Sequence, residues 1–465
     1  MTEPRPQPTR AVVIGGSLAG MLAAAAVKDA VDAVEIIEAH ELPAGPEPRT
    51  GVPQAAHVHP LLSGGADAIE ALLPGTVGQL VAAGANRVPM TTNMVYLSAE
   101  GWYRRWRRNT QYLIAAGRDL TDHVVRRQVL ADPRVGVRAH CRVVGLLGGR
   151  GRVTGVRLRA ADGTETELAA DLVVDASGRS SRTPRWLAEL GVTGLAEDRI
   201  ESGLAYASRI YRAPVATDGW PVVNVLADPR RPGGAGTIVP IEGDRWHVSF
   251  YGPPGAQPTA DAFEAYARGL RHPLVAELLA RAEPLTDVTV THTTTNRRHY
   301  YERLGNWPEG LIALGDSVAA FNPIYGQGMS VAAQGALALR RLTAGGLTDG
   351  LARRAQRAIA RPVDVAWSLA VGQDVHYPTT EGKRPNLGDR LLHRYVSRLS
   401  YTAIGSFRVA TALTEVLTLQ APPAVLVRPD VLLAAALGPR RPLTNGPTFT
   451  PDERRRLEGA GVPLT

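Results

Sequence analysis

A single cysteine, Cys141, stands in a chain of 465 residues, so no intramolecular disulfide, CxxC metal site or dithiol redox pair is available to it. On that count the chain fits a reducing cytoplasm. Lysine is nearly absent as well: Lys28 and Lys383 are the only two among 52 basic residues. The remaining arginines are scattered among 44 acids, so the net charge of +8 describes a coding preference rather than a nucleic-acid stripe. The densest basic group, Arg104, Arg105, Arg107 and Arg108 with Trp102, Tyr103 and Trp106, has the composition to stack on bases. Alternating strand faces produce the same pattern, and no nucleic-acid partner is expected. No apolar run reaches the roughly 18 residues of a membrane span. The stretch from Ala11 to Val27, with Arg5 and Arg10 ahead of it, imitates the core of a signal peptide, but its glycines belong to a nucleotide-binding pattern.

What is present describes an ordinary folded chain, 44% hydrophobic and 21% charged, and too long for one hydrophobic core. After a polar, Pro-containing leader, Ala11–Gly15 reads as a buried strand, Ser17–Ala30 as a helix and Val34–Glu38 as a second strand, which is a βαβ unit. Residues 39–60 hold five prolines and three histidines and are expected to be an extended loop. Helical spacing returns over Gly64–Ala83, followed by short strands at Thr91–Ser98 and Gly101–Trp106 and a helix over Asp119–Leu130. Val143–Leu147 and Val153–Arg159 flank a glycine turn as a hairpin, and Leu172–Asp175 is an apolar strand. Segments Leu204–Tyr211, Val222–Leu226, Gly236–Pro240, Trp246–Tyr251 and Val288–Thr294 predict an antiparallel sheet. The chain then returns through strand Leu311–Gly315, a Pro/Gly loop and a helix over Ser330–Thr343, and is helical from Leu351, with Thr450 as the cap of a last helix. The fold class is therefore α/β. Residues 1–90, 119–195 and 301–345 are expected to form a Rossmann-like lobe, 91–118 and 196–300 a second, antiparallel-sheet lobe, and 346–465 a helical region.

Gly15-Gly16-Ser17-Leu18-Ala19-Gly20 follows a strand and opens a helix, the context that a dinucleotide fingerprint requires. Gly15 permits the tight turn, small Ser17 lets a pyrophosphate approach the backbone, and Gly20 lets helix and sheet pack closely. The helix N-terminus supplies free N–H groups and partial positive charge. Glu38, 18 residues beyond Gly20, stands where an acid binds ribose hydroxyls. Gly315-Asp316-Ser317 and the loop Phe321 to Met329 form a second signal. A strand delivers Asp316 to a ribityl chain, and the Pro/Gly loop lets bare backbone N–H groups reach a flavin ring, so the pair points to FAD and not to a nicotinamide alone. The rival, a hydrolase with Ser317 as nucleophile, places its Gly-Asp-Ser near a chain start. His57-Val58-His59 lacks the third ligand a metal needs, so no metal is assigned. Trp102, Tyr206, Asn224 and Tyr251 lie on second-lobe strands, where core packing competes with a pocket wall; with His57 they are the candidate substrate pocket.

These segments, with Gly51-Val52-Pro53-Gln54, Asp175-Ala176-Ser177-Gly178-Arg179, Asn296-Arg297-Arg298 and Trp307-Pro308-Glu309-Gly310, resemble FAD monooxygenases of the p-hydroxybenzoate hydroxylase type. Within that group the chain is most similar to the flavin epoxidases of polyether ionophore pathways, the monensin and lasalocid kind. The resemblance covers most of the chain, and departs from the pattern at Thr50, Ala56 and Gln327. It implies that the fingerprint, Arg49, Arg118 and Asp316 hold FAD, and we assign Val143, Asp175, Pro323, Gly326, Gln327, Gly328 and Met329 to the same cofactor. It implies a monooxygenase that uses a flavin C4a-hydroperoxide to epoxidise a polyene of polyketide type in antibiotic biosynthesis, with no catalytic side chain required. The alternative is an aromatic hydroxylase of a phenolic substrate. Dioxygen is the co-substrate, and electrons come from NAD(P)H or a partner flavin reductase, because no second fingerprint in context exists. A tryptophan-type halogenase is disfavoured by the want of an active-site lysine.

Overall fold

Five short strands, four of them largely buried on both faces, make a central parallel sheet. In the computed structural model, which describes residues 8–228 and 233–463, their order is Leu311–Ala313, Leu172–Asp175, Arg10–Ile14, Ala33–Ile37, Val135–Arg138. All neighbouring pairs are parallel. The first strand lies in the middle, with Ile14 in register with both Asp175 and Ile37, so three strand ends open onto one crevice. The fingerprint helix Leu18–Val27 is buried at nine of its ten positions, between the sheet and helices Arg118–Leu130 and Gly328–Thr343, which is why it is almost entirely alanine and leucine. Most of the polar leader lies outside the described residues.

The hairpin expected after residue 141 is present as Cys141–Gly149 and Arg152–Ala160, but it gains a third strand, Glu165–Ala169, that the sequence does not betray. Four of its five residues are exposed, so no apolar alternation marks it. The helical stretch after Gly64 is two helices, Ser63–Leu72 and Thr76–Ala82, broken at Pro74-Gly75.

The second lobe is an eight-stranded sheet whose main order is Glu283–Pro284, Ala205–Arg212, Arg245–Gly252, Ala235–Ile241, Val222–Val225, Met94–Ser98, Gly101–Trp102, with Thr289–Thr291 beside Ala205–Arg212. It is not wholly antiparallel: Val222–Val225 and Met94–Ser98 run parallel, because the chain crosses most of the first lobe between them. Nor do all of residues 91–118 join it, since Tyr112–Ala115 pairs with Leu61–Leu62 and Asn86–Pro89 in a small separate sheet. Period-2 alternation gives the large sheet two unlike faces. Val223, Ile238, Val248 and Phe250 pack with helices Phe263–Arg268 and Leu274–Leu279 and with Phe449 and Leu457 in one core. The other face carries Tyr96, Asn224, Thr237, Ser249 and Ser208 in one register row, with Tyr206 and Tyr251 paired two residues further along.

The C-terminal helices Leu387–Gly405, Phe407–Leu417 and Pro429–Leu437 share a small core of Leu399, Val409, Leu413 and Val431. The last helix, Pro451–Gly459, has the expected capping box, with Glu453 N–H donating to Thr450 Oγ1 (3.2 Å) and Thr450 N–H to Glu453 Oε2 (2.8 Å). Glu453 also pairs with Arg105 at 2.5 Å, and Arg104 donates to the Pro442 carbonyl. Part of the dense basic group is thus an internal clamp for the chain's last segment. Among the described residues no helix is long and apolar enough to cross a membrane.

Candidate active site

The strand Arg10–Ile14 ends in Gly15, whose φ of +96° suits glycine and whose added Cβ would meet the Ala176 carbonyl at 2.9 Å. Gly20 is tighter: a Cβ there would lie 1.8 Å from the Gly15 carbonyl oxygen. Ser17 caps the helix without a side-chain bond to it, leaving the first helical N–H groups unprovided for by a capping side chain. Its hydroxyl instead accepts from Arg118 Nη2 at 3.3 Å. Arg118 is buried and ion-paired with Asp122 (2.8 Å), so a guanidinium is fixed beside the helix N-terminus. Leu18 is buried against the sheet, and Ala19 touches the Gly315 turn, where a Cβ on Gly315 would sit 3.0 Å from the Ala19 side chain.

Glu38 comes off Ala33–Ile37 and accepts the Gly16 N–H (2.7 Å) and Arg49 Nη2 (3.1 Å) on one oxygen, and the His40 N–H (3.1 Å) on the other. Arg49 Nη1 in turn donates to the Gly16 carbonyl (2.9 Å). Val143 is buried on the neighbouring hairpin, two residues past the Cys141 N–H that binds the Glu38 carbonyl. Asp175 is fully buried and already saturated: Ser177 N–H and Oγ hold one oxygen, Ser181 Oγ and Thr183 Oγ1 the other. It orders the turn from which Arg179 extends.

Asp316 sits on the turn Gly315–Ser317, its carboxyl 3.8 Å from Arg179 and beside Gly328. Burial pushes its pKa up against the pull of Arg179, Arg118 and Arg297. The loop that follows is shaped by Asn322 and the short turn Pro323–Tyr325, and reverses at Gly326 (φ +64°) before Gly328–Thr343 begins. Gln327 and Met329 are buried within it. Arg49 Nε, a donor, and Gln327 Oε1, an acceptor, are buried here without a partner among the described residues. The residues fit FAD: a spare buried guanidinium N–H beside the fingerprint, an acid at the end of each of two strands, and an unsatisfied acceptor in the loop that would meet the ring.

Sequence reasoning missed Asp374. This carboxylate is fully buried at the end of helix Leu351–Asp374 and accepts from Tyr325 (2.5 Å), Asn296 (2.6 Å) and Asn322 (3.0 Å), tying the loop to the helical region. The signal was available, since Asp374 continues the buried stripe Trp367, Ala370, Val371.

The proposed pocket residues divide. His57 Nδ1 lies 2.8 Å from Ser208 Oγ, which lies 2.5 Å from Ser249 Oγ, and the His57 ring stands edge-on to Tyr206. Tyr251 is directly paired with Tyr206, and Asn224 shares the face. His247, on the same face, binds the Ala56 carbonyl through Nε2 (3.1 Å). Burial lowers both imidazoles, each to about 4, so they are neutral at pH 7. Trp102 does not belong with them. It lies on the edge strand, five strand spacings or about 24 Å from Tyr206, and is core, edge-on to His272. His57 and His59 turn to different partners, Ser208 and the His57 carbonyl.

Residues 8–356 match the family described as FAD binding domain. Protein Rv3254 of Mycobacterium tuberculosis is 33% identical over 389 residues, covering 80% of this chain and 81% of its own. Kynurenine 3-monooxygenase of Salinispora arenicola is 28% identical over 347 residues, 70% of each chain. Among solved structures, the flavin-dependent brominase Bmp2 superposes with a TM-score of 0.62 at 18% identity, over 88% of this chain and 94% of that one, a likeness of fold. The chain belongs to the FAD binding domain family, as an oxidoreductase of the flavin-dependent monooxygenase type.

Proposed function

We propose that this protein transfers one atom of dioxygen to an alkene of a long, uncharged polyene, in the manner of a polyether-pathway epoxidase. The observation that carries the reading is the sheet face turned toward the cofactor loops. Its central rows hold Tyr96, Asn224, Thr237, Ser249, Ser208, Tyr206 and Tyr251, hydroxyls and amides without one ionised side chain. Arg179, whose charge reaches Tyr206, is held by the carbonyls of Thr295 and Phe321. Among the described residues a substrate carboxylate would find no free cation on this face, whereas an apolar chain loses little by leaving water there.

FAD, when bound, supplies the activation of dioxygen. The protein's part is to orient the alkene and exclude water. Burial raises the Tyr206 and Tyr251 hydroxyls, so they donate hydrogen bonds and do not serve as bases. His57 and His247 are too weakly basic, at about 4, to deprotonate a phenol. An alkene needs no such base, which favours epoxidation over phenol hydroxylation. Neither lysine supports halogenation: Lys28 pairs with Asp132 at the far end of the fingerprint helix, and Lys383 pairs with Asp389 on the C-terminal helices. Electrons come from NAD(P)H or a separate flavin reductase.

The test is turnover of a trisubstituted linear polyene and, separately, of phenolic acids under oxygen-18, read by mass spectrometry. Mono-oxygenated polyene carrying one labelled atom is expected. Label only in a ring-hydroxylated phenol would make the protein an aromatic hydroxylase.

A further inference from the structure

Eleven large apolar side chains stand exposed among the described residues, and nine of them lie between Leu387 and Leu443. The same stretch, residues 387–443, contains seven basic and three acidic residues, a net +4 out of +8 for the whole chain. Charge and exposed leucine are thus segregated together on the three C-terminal helices, away from the cofactor crevice. On Pro429–Leu437 the exposed positions Leu432, Leu433, Ala436 and Leu437 form one face, opposite the buried Val431, Ala434 and Ala435. On Leu387–Gly405, Leu387, Leu391, Arg394 and Arg398 form one exposed stripe, leucines first and arginines after. Arg390, Arg394, Arg440 and Arg441 have no acidic partner among the described residues. A groove of about 280 Å³ opens between these helices, with Trp106, Phe407 and Leu433 as apolar wall and Arg440, Arg441 and the Arg408–Asp430 pair at its side. The Trp106 indole N–H faces no acceptor among the described residues.

An exposed apolar patch of this kind marks a contact surface. A second copy is a poor occupant, because an isologous interface would set two +4 faces against each other. We propose that these helices seat the protein on the surface of an anionic phospholipid bilayer. The leucines enter the acyl boundary and the unpaired arginines meet headgroup phosphates, while no helix among the described residues is long and apolar enough to span the bilayer. An uncharged polyene, on the substrate reading above, would concentrate in the same bilayer, but the docking rests on the surface alone.

The experiment is co-sedimentation of the FAD-loaded protein with vesicles of phosphatidylcholine, alone or with about 30% phosphatidylserine. Binding only to the anionic vesicles, released by high salt, is expected. Leu433→Asp with Leu437→Asp, and separately Arg440→Glu with Arg441→Glu, should each lower vesicle affinity at least about tenfold. Bound FAD absorbance and circular dichroism should stay unchanged, so the result is independent of any turnover. Absence of wild-type binding, equal binding by the variants, or a wild-type dimer that the leucine variant converts to monomer would each overturn the proposal.

Discussion

Glu38 reaches back across 22 residues of chain to the Gly16 N–H and shares that oxygen with Arg49. Its remaining hydrogen-bonding capacity is what a ribose would use, and Asp316 offers the same at the other end of the crevice. Removing either carboxylate takes away charge-assisted bonds worth roughly 1.5–3 kcal/mol. Glu38→Ala and Asp316→Ala are each expected to weaken FAD about tenfold to a hundredfold, measured by quenching of flavin fluorescence. Asp374 touches the cofactor only through its neighbours. Asp374→Asn replaces one acceptor by a donor facing Asn296 and Asn322, and so should loosen the loop at Tyr325. About a tenfold loss of FAD affinity is expected, one unsatisfied buried bond being worth roughly 1–3 kcal/mol. Tyr325→Phe, which leaves both asparagine bonds in place, should lose less; an equal loss would mean that Asp374 acts through Tyr325 alone.

At the scale of elements, the fingerprint helix depends on the absence of one methyl group. A Cβ on residue 20 would fall 1.8 Å from backbone oxygen, which cannot rotate away, so Gly20→Ala must push helix and strand apart. Loss of FAD binding and a destabilisation of about 1–3 kcal/mol, the usual cost of overpacking, are expected in denaturant titration. The last helix is held differently, by Arg105 and Glu453, both largely buried. Arg105→Met leaves Glu453 without its cation and should destabilise by roughly 3 kcal/mol, seen as a lowered unfolding midpoint. Retained stability would show that Phe449 and Leu457 suffice to anchor it.

For the whole molecule, the interface between the lobes contains His57 and His247, each lowered by burial from 6.5 to about 4. Above pH 6.5 both are neutral whether folded or unfolded, and their full contribution is present. As the pH falls from 6.5 toward 4 the unfolded chain takes up protons first, so stability falls by up to about 1.4 kcal/mol per pH unit for each histidine. Raised carboxylates such as Asp316 and Asp374 act in the opposite sense. The unfolding temperature should therefore be followed from pH 8 to pH 4 in the wild type and in a His57→Gln, His247→Gln double variant. A decline between 6.5 and 4 that is shallower in the variant is expected.

What the sequence by itself determined is local. The βαβ unit, the glycine turns at 15 and 315 and the capping box at Thr450 follow from backbone conformations that few residues tolerate, so a handful of letters in order suffices to place them. Four of the five central strands were legible because they are largely apolar and buried on both faces, whereas the half-exposed edge strand Val135–Arg138 was not. Glu165–Ala169 was not, since an exposed edge strand is specified by backbone bonds to a partner and leaves no apolar alternation. Only the tertiary structure decided which second-lobe residues face the crevice. Tyr206, Ser208, Asn224, Ser249 and Tyr251 share a face through register between strands far apart in the chain, while Trp102, of the same residue class, falls five strands away into the core. Only it brought Asp374 under the loop at Tyr325, and gathered leucine and arginine on one set of helices. Register, long-range burial and the sharing of a surface are set by contacts between distant segments, and composition and spacing do not record them.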